Sequence, residues 1–229
     1  MLDSAPNVLL FDIDGTLANS GGAGGGALLD ALVAEFSLES AEQVPLHGRT
    51  DLGITTELLE KHKIESSDEN RKRLCQHYYR LLPAELEQRQ GQLLPGVMQL
   101  LDALQGIESC HLALMTGNMP ESAEIKMRHY GLWHYFEFGI YGDLAAQRPE
   151  LAKPARRIIQ SNLRSEADDF DGVVIGDTPL DVELAQRMGL RSLAVCTGGF
   201  SEMELAAAGA DGVMQDLSDT QAVRRWLVG

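Results

Sequence analysis

Only three cysteines occur in the 229 residues, at Cys75, Cys110 and Cys196, and they lie far apart. With no Cys-x-x-Cys pair and no Cys/His cluster, neither a disulfide framework nor a zinc site is supported. Each cysteine reads as a small buried hydrophobe. Basic residues are scarce as well: 19 Lys and Arg stand against 34 Asp and Glu, a net charge of −15. So acidic a chain repels nucleic acid and anionic membrane surfaces, and neither is an expected partner. Any anion site must be a local exception built from metal, Lys, Arg or helix N-termini. Long apolar runs are missing too. Val8-Leu9-Leu10-Phe11 is too short for a signal peptide or a membrane span, and the expected address is cytoplasmic. The glycine cluster Gly21-Gly22-Ala23-Gly24-Gly25-Gly26 has no Gly-Lys-Ser/Thr after it. It is therefore no phosphate loop and reads as a flexible hinge.

What is present is apolar material, 44 % of the chain, enough for one large or two modest domains. Asn7-Val8-Leu9-Leu10-Phe11-Asp12 reads as a buried strand ending in a carboxylate. From Ala27 to about Arg89 the apolar spacing is helical and no strand is evident, which suggests a helical insertion. Strand and helix signals then alternate. A helix begins near Pro95, with Val97, Leu100, Leu101 and Leu104 on its apolar face. Strands are expected at Cys110 to Thr116, Phe136 to Tyr141, Gly172 to Asp177, Arg191 to Cys196 and Gly212 to Met214. Intervening helices run from Pro120 to Tyr130, to near Leu163, and to Met188, where Gly189 stops the last. Alternation of this kind predicts an α/β fold, a Rossmann-like parallel sheet covered by helices on both faces.

The chemistry-bearing residues fall at strand ends. In open α/β sheets ligands bind beyond the carboxyl ends of the strands, and Phe11-Asp12-Ile13-Asp14-Gly15-Thr16-Leu17 follows one directly. Asp12 and Asp14 converge only if the chain turns, which Gly15 permits. One carboxylate of such a pair can bind a hard cation and attack phosphorus while its neighbour handles protons. A second strand delivers Gly176-Asp177-Thr178-Pro179-Leu180-Asp181, with two more acids suited to Mg²⁺ or to helix capping. A third ends in Met115-Thr116-Gly117-Asn118, whose hydroxyl and amide N–H groups suit phosphate oxygens or an ordinary turn.

In this order of motifs the chain resembles the haloacid dehalogenase-like hydrolases, specifically their phosphoglycolate phosphatase-like members with a helical cap after the first motif. The resemblance implies residues 1–17 and 92–229 as the catalytic core and 18–91 as the cap. It implies a Mg²⁺-dependent phosphatase acting on a small phosphorylated metabolite. By the same resemblance Asp12 is the nucleophile, Asp14 the general acid and base, and Thr116, with Gly117 and Asn118, the phosphate-binding group. Asp177 is the metal ligand beside Asp12 and the Asp14 carbonyl, and Asp181 supports the ion less directly. The family's phosphate-side cation has two candidates: Lys153, in the usual Lys-Pro dipeptide, and Arg148, in an Arg-Pro variant just upstream. Arg49, in Leu46-His47-Gly48-Arg49-Thr50-Asp51, resembles a cap-loop residue that binds a second anionic group, or else is a solvated charge before a helix. His47 reads as structural. A phosphomutase with the same motifs and a non-catalytic binding module are the competing readings; Asp14 and Asp177 argue against a dehalogenase. Composition says nothing about the oligomeric state.

Overall fold

The computed structural model describes residues 7–163 and 170–229. β1 (Asn7–Phe11) leads into a two-residue strand β2 (Ala18–Asn19) and three helices, α1 (Ala23–Phe36), α2 (Asp51–Lys61) and α3 (Asp68–Gln88). The chain returns through β3 (Gln92–Leu93), antiparallel to β2, so the two connections to the insertion are zipped together. Then follow α4 (Val97–Gln105), β4 (Cys110–Met115), α5 (Pro120–His129), β5 (Phe138–Ile140) and α6 (Ala152–Leu163). The chain finishes with β6 (Asp171–Gly176), α7 (Pro179–Met188), β7 (Arg191–Val195), α8 (Glu202–Ala207), β8 (Gly212–Met214) and α9 (Thr220–Val228). Short 3-10 turns span Trp133–Tyr135 and Arg148–Leu151. None of the described helices is long and apolar enough to cross a membrane.

The main sheet is parallel throughout, in the order β5-β4-β1-β6-β7-β8. Alternate residues of its strands fill two apolar layers. Leu9, Phe11, Leu112, Leu114, Val173 and Ile175 face one side; Val8, Leu10, Ala113, Met115 and Val174 face the other. Burial on both faces explains why the strands read as continuous hydrophobic runs rather than alternating ones. The order reverses at β1, whose successors lie on one side as β4 and β5 and on the other as β6 to β8. Register pairs Phe11 with both Leu114 and Ile175. Asp12, Thr116 and Asp177 therefore emerge within one residue of the same level, above three adjacent strands.

The insertion has its own apolar centre, with Ala27, Ala31 and Leu32 of α1 against Leu74, Tyr78 and Leu82 of α3 and Leu58 and Leu59 of α2. Here one sequence expectation fails. The glycine cluster is the start of a helix, with Gly22 as a left-handed N-cap and Gly24 to Gly26 in the first turn of α1. Each glycine costs a helix about 1 kcal/mol relative to alanine, and the packing of α1 on α3 overrides that penalty. The fifth strand is also shorter than its apolar run suggested, covering Phe138–Ile140.

Candidate active site

At the end of β1 the chain turns back on itself: the amides of Thr16, Leu17 and Ala18 all donate to the Ile13 carbonyl. This leaves the Asp14 carbonyl outside the turn's hydrogen bonding. Gly15 has φ +84°, and a Cβ there would stand 2.4 Å from Asp177 Oδ2. Only glycine allows the β1 and β6 ends to approach so closely. The Thr16 hydroxyl donates to Asp177 Oδ1 at 3.3 Å, and the Thr197 hydroxyl to the Gly15 carbonyl at 2.5 Å.

Asp12, Asp177 and Asp181 bring carboxylate oxygens within 4.8 Å of one another. One guanidinium faces them. Arg148 Nη2 lies 3.0 Å from Asp12 Oδ1 and 2.5 Å from Asp181 Oδ1, and donates to the Met115 carbonyl at 2.9 Å. All four side chains belong to residues only 2 to 4 % exposed. Asp181 is held twice over, since its Oδ2 accepts the Thr178 amide at 3.0 Å and the Thr178 hydroxyl at 2.8 Å. It caps α7 and faces Arg148.

Three buried carboxylates against one guanidinium leave negative charge uncompensated, which is costly in a dry site. Burial pushes the Asp12 carboxyl above its ordinary range, opposed by Arg148 and reinforced by Asp181 and Asp14. Burial likewise pushes Asp177 up, reinforced by Asp181 and Asp12. Arg148 approaches both Asp12 Oδ1 and Asp181 Oδ1, but neither oxygen has a well-aligned hydrogen bond among the described residues. Hard oxygens, excess charge and an open Asp14 carbonyl fit a small divalent cation such as Mg²⁺.

Thr116 is fully buried, and its Oγ1 accepts from the Asn118 amide at 3.2 Å and the Asn118 side chain at 2.9 Å. As acceptor of both bonds, the hydroxyl keeps its own proton to donate. Gly117 packs under the insertion: a Cβ there would meet the Arg49 carbonyl at 2.0 Å. The amide of Asp51 donates to the Gly117 carbonyl at 2.7 Å, and its carboxylate accepts from the Met119 amide at 2.8 Å and the Ser122 hydroxyl at 2.9 Å. The start of α2 is thus seated on the loop after β4.

Three residues named from the sequence lie outside this acid cluster. Lys153 is exposed on α6, away from the acids; Pro154 falls within the first turn of that helix and turns no charge inward. Arg49 lines the cavity, but its Nη2 pairs with Glu57 at 2.6 Å and its Nη1 bonds the Pro45 carbonyl at 3.0 Å. His47 is exposed at the cavity rim rather than packed.

Two residues went unread in the sequence, Asp51 above and Lys126. Lys126, on α5, is 4 % exposed, and its Nζ lies 2.5 Å from Asp14 Oδ2 and 2.7 Å from Asn118 Oδ1. Its signal was a cation on the apolar stripe, three residues after Ala123 and one before Met127, both fully buried. Burial works to raise the Asp14 carboxyl, but the Lys126 charge and hydrogen bonds from Lys126, Asn118 and Ser20 outweigh it and hold Asp14 below its ordinary value. A cavity of about 270 Å³ opens above, walled by Gly22, Gly24, Leu28, Ile54 and Tyr78 of the insertion.

The chain is similar to known proteins. A family profile of haloacid dehalogenase-like hydrolases matches residues 9–195. The chain is 24 % identical over 216 residues to the probable phosphatase IndB of Dickeya dadantii, covering 93 % of this chain and 90 % of that protein. It is 26 % identical over 224 residues to a phosphoglycolate phosphatase of Rhodospirillum rubrum, covering 93 % and 88 %. The crystal structure of CbbY from Rhodobacter sphaeroides in complex with phosphate superimposes with a TM-score of 0.69 at 19 % identity, covering 94 % of this chain and 96 % of that one. With the profile spanning most of the chain, this protein belongs to the haloacid dehalogenase-like hydrolases.

Proposed function

We propose that the chain is a Mg²⁺-dependent phosphatase that hydrolyses a small phosphorylated metabolite through an aspartyl-phosphate on Asp12. Its place among phosphatase hydrolases follows from the family and its named relatives; the ion, the intermediate and the substrate class are the proposal. The observation that carries it is the buried cluster of Asp12, Asp177 and Asp181 against the single guanidinium of Arg148.

Asp12, Asp177 and the Asp14 carbonyl would hold the ion. When bound, it supplies positive charge beside the phosphoryl oxygens and offsets the repulsion between an anionic nucleophile and an anionic ester. Arg148 keeps Asp12 ionised and aimed, and shares the phosphoryl charge. Thr116 donates its hydroxyl proton and the Gly117–Asn118 turn its amides to the same oxygens. Asp12 attacks phosphorus in line as the ester bond breaks, and Asp14 protonates the leaving oxygen. Asp14 then takes a proton from water, which attacks phosphorus and returns Asp12 as carboxylate. The insertion covers the cavity and excludes bulk water.

Hydrolysis is favoured over phosphoryl return to a sugar by the state of the cavity's cations. Among the described residues lining it, Arg148 is paired with Asp12 and Asp181, Lys126 with Asp14, and Arg49 with Glu57. A bisphosphate would need one of these pairs to break. The test is phosphate release from a panel of small phosphate esters, with and without Mg²⁺, comparing the intact protein with Asp12→Asn. Ion-dependent release that vanishes in the variant is expected; equal release by both proteins would contradict the reading.

A further inference from the structure

We propose that Lys126 is a positioning residue that pins one oxygen of the Asp14 carboxylate, so that the other oxygen faces the leaving group for proton transfer. The proposal rests on the phosphatase reading above and adds a residue from the core, outside the strand-end motifs, to the machinery.

The two Asp14 oxygens are held unequally. Oδ2 receives Lys126 Nζ at 2.5 Å and Asn118 Nδ2 at 2.8 Å. Among the described residues, Oδ1 has only the Ser20 hydroxyl, at a long 3.4 Å. Lys126 is itself braced, because its ammonium also donates to Asn118 Oδ1 at 2.7 Å, and Asn118 in turn donates to Thr116 Oγ1. Lysine, asparagine and aspartate thus close a ring of three hydrogen-bonded side chains, tied to the phosphate-side hydroxyl. The Asp14 side chain is 42 % exposed toward the cavity while that of Lys126 is 5 % exposed, so the acid projects and the base stays behind it.

Burying an ammonium is costly unless it is both paired and hydrogen-bonded. A merely structural lysine gains little from such a place, whereas a proton-transfer carboxylate gains a fixed geometry. Asp51, the other acid near Lys126, is already satisfied by Met119 and Ser122. That leaves Asp14 as the group Lys126 serves. In the first step the Asp12–phosphorus bond forms, the ester bond breaks, and the proton brought in by the substrate's phosphate monoanion passes by way of Asp14 Oδ1 to the leaving oxygen. In the second, water returns a proton to Oδ1 as its oxygen bonds phosphorus and Asp12 departs. Lys126 keeps its own proton throughout.

Leaving-group dependence separates positioning from folding. The full chain, Lys126→Met and Lys126→Arg are compared with Mg²⁺ on two esters. One is p-nitrophenyl phosphate, whose leaving group needs no proton. The other is whichever alkyl phosphate the unmodified protein cleaves fastest among sugar phosphates, glycerol phosphate and phosphoglycolate. General acid–base catalysis contributes about 10²–10⁴-fold, so Lys126→Met should lose on the order of 10²-fold in kcat on the alkyl ester. The aryl ester should lose less than about tenfold, KM should change little on either, and Lys126→Arg should recover part of the alkyl activity. Equal losses on both esters, or none, would overturn the role of Lys126 while leaving the phosphatase reading intact. So would variants that fail to fold, Lys126→Arg included, since that assigns the lysine to the fold alone. If the unmodified protein cleaves no ester, or Asp12→Asn stays active, both ideas fall together.

Discussion

The two halves of the site treat charge in opposite ways. Around Asp12 three acids crowd one guanidinium, all of them almost completely buried. Around Asp14 one acid meets one ammonium, and the carboxylate leans into the cavity. The first half carries an excess of negative charge that protonation or a bound cation would relieve. The second is balanced within itself, so its carboxylate is free to exchange a proton with whatever enters the cavity. A single sheet edge thus supports a charge-starved half and a charge-neutral half, both reached from β1 through two residues of one turn.

Removing Asp12 should break the first half most severely. Asp12→Asn keeps the side-chain volume and removes the nucleophile, and turnover is expected to fall by at least about 10⁴-fold with the fold retained; steady-state kinetics and circular dichroism check both. Next in size is Arg148→Met. Removing one partner of a buried ion pair costs about 3–5 kcal/mol because the other charges stay behind, and a large drop in melting temperature is expected together with loss of activity. Arg148→Lys should not restore either fully, since an ammonium cannot span Asp12, Asp181 and the Met115 carbonyl as the fork does.

A milder contrast concerns pH. Asp12 and Asp177 are raised above the ordinary 3.8 by burial and by each other's neighbours. When a carboxyl's folded value lies above its unfolded value, the unfolded chain gives up its proton first. The stability that these acids contribute is therefore complete only below about pH 4 and declines as pH climbs toward the folded values. Asp14, held below its ordinary value, has the opposite sign: its contribution is present above pH ~4 and lost as pH falls through the folded value. Without a divalent ion, the half around Asp12 should make the protein less stable near pH ~8 than near pH ~6. Mg²⁺ should recover about 2.7 kcal/mol at a hundredfold excess over its Kd, and thermal melts with chelator and with Mg²⁺ read both effects. The smallest effect belongs to Lys153→Ala, an exposed change expected within about 0.5 kcal/mol and without loss of turnover.

How far the sequence foretold this differs between the halves. Asp12, Thr116 and Asp177 were legible because each follows an apolar run, and a parallel sheet must align such ends. Arg148 could not be chosen over Lys153 from the sequence, because both precede or enter a helix beside a proline; burial decided their placement, and burial is a tertiary property. Lys126 and Asp51 were missed for a related reason. Lys126 is one of several charges on α5 and Asp51 is the first residue of α2, and only the packing of the two helices around the loop after β4 shows what they touch. The glycine cluster misled because propensity favours a hinge there, while the contact of α1 with α3 makes it a helix.

The central claim is most directly tested by trapping the phosphoryl group on Asp12. With Asp14→Asn and p-nitrophenyl phosphate, the ester bond needs no proton to break, but the acyl-phosphate has lost its base for hydrolysis. A burst of nitrophenolate equal to the enzyme present, with the phosphoryl group carried by the peptide that contains Asp12, is the expected result. Steady hydrolysis by the unmodified protein with neither burst nor labelled peptide in the variant would contradict it.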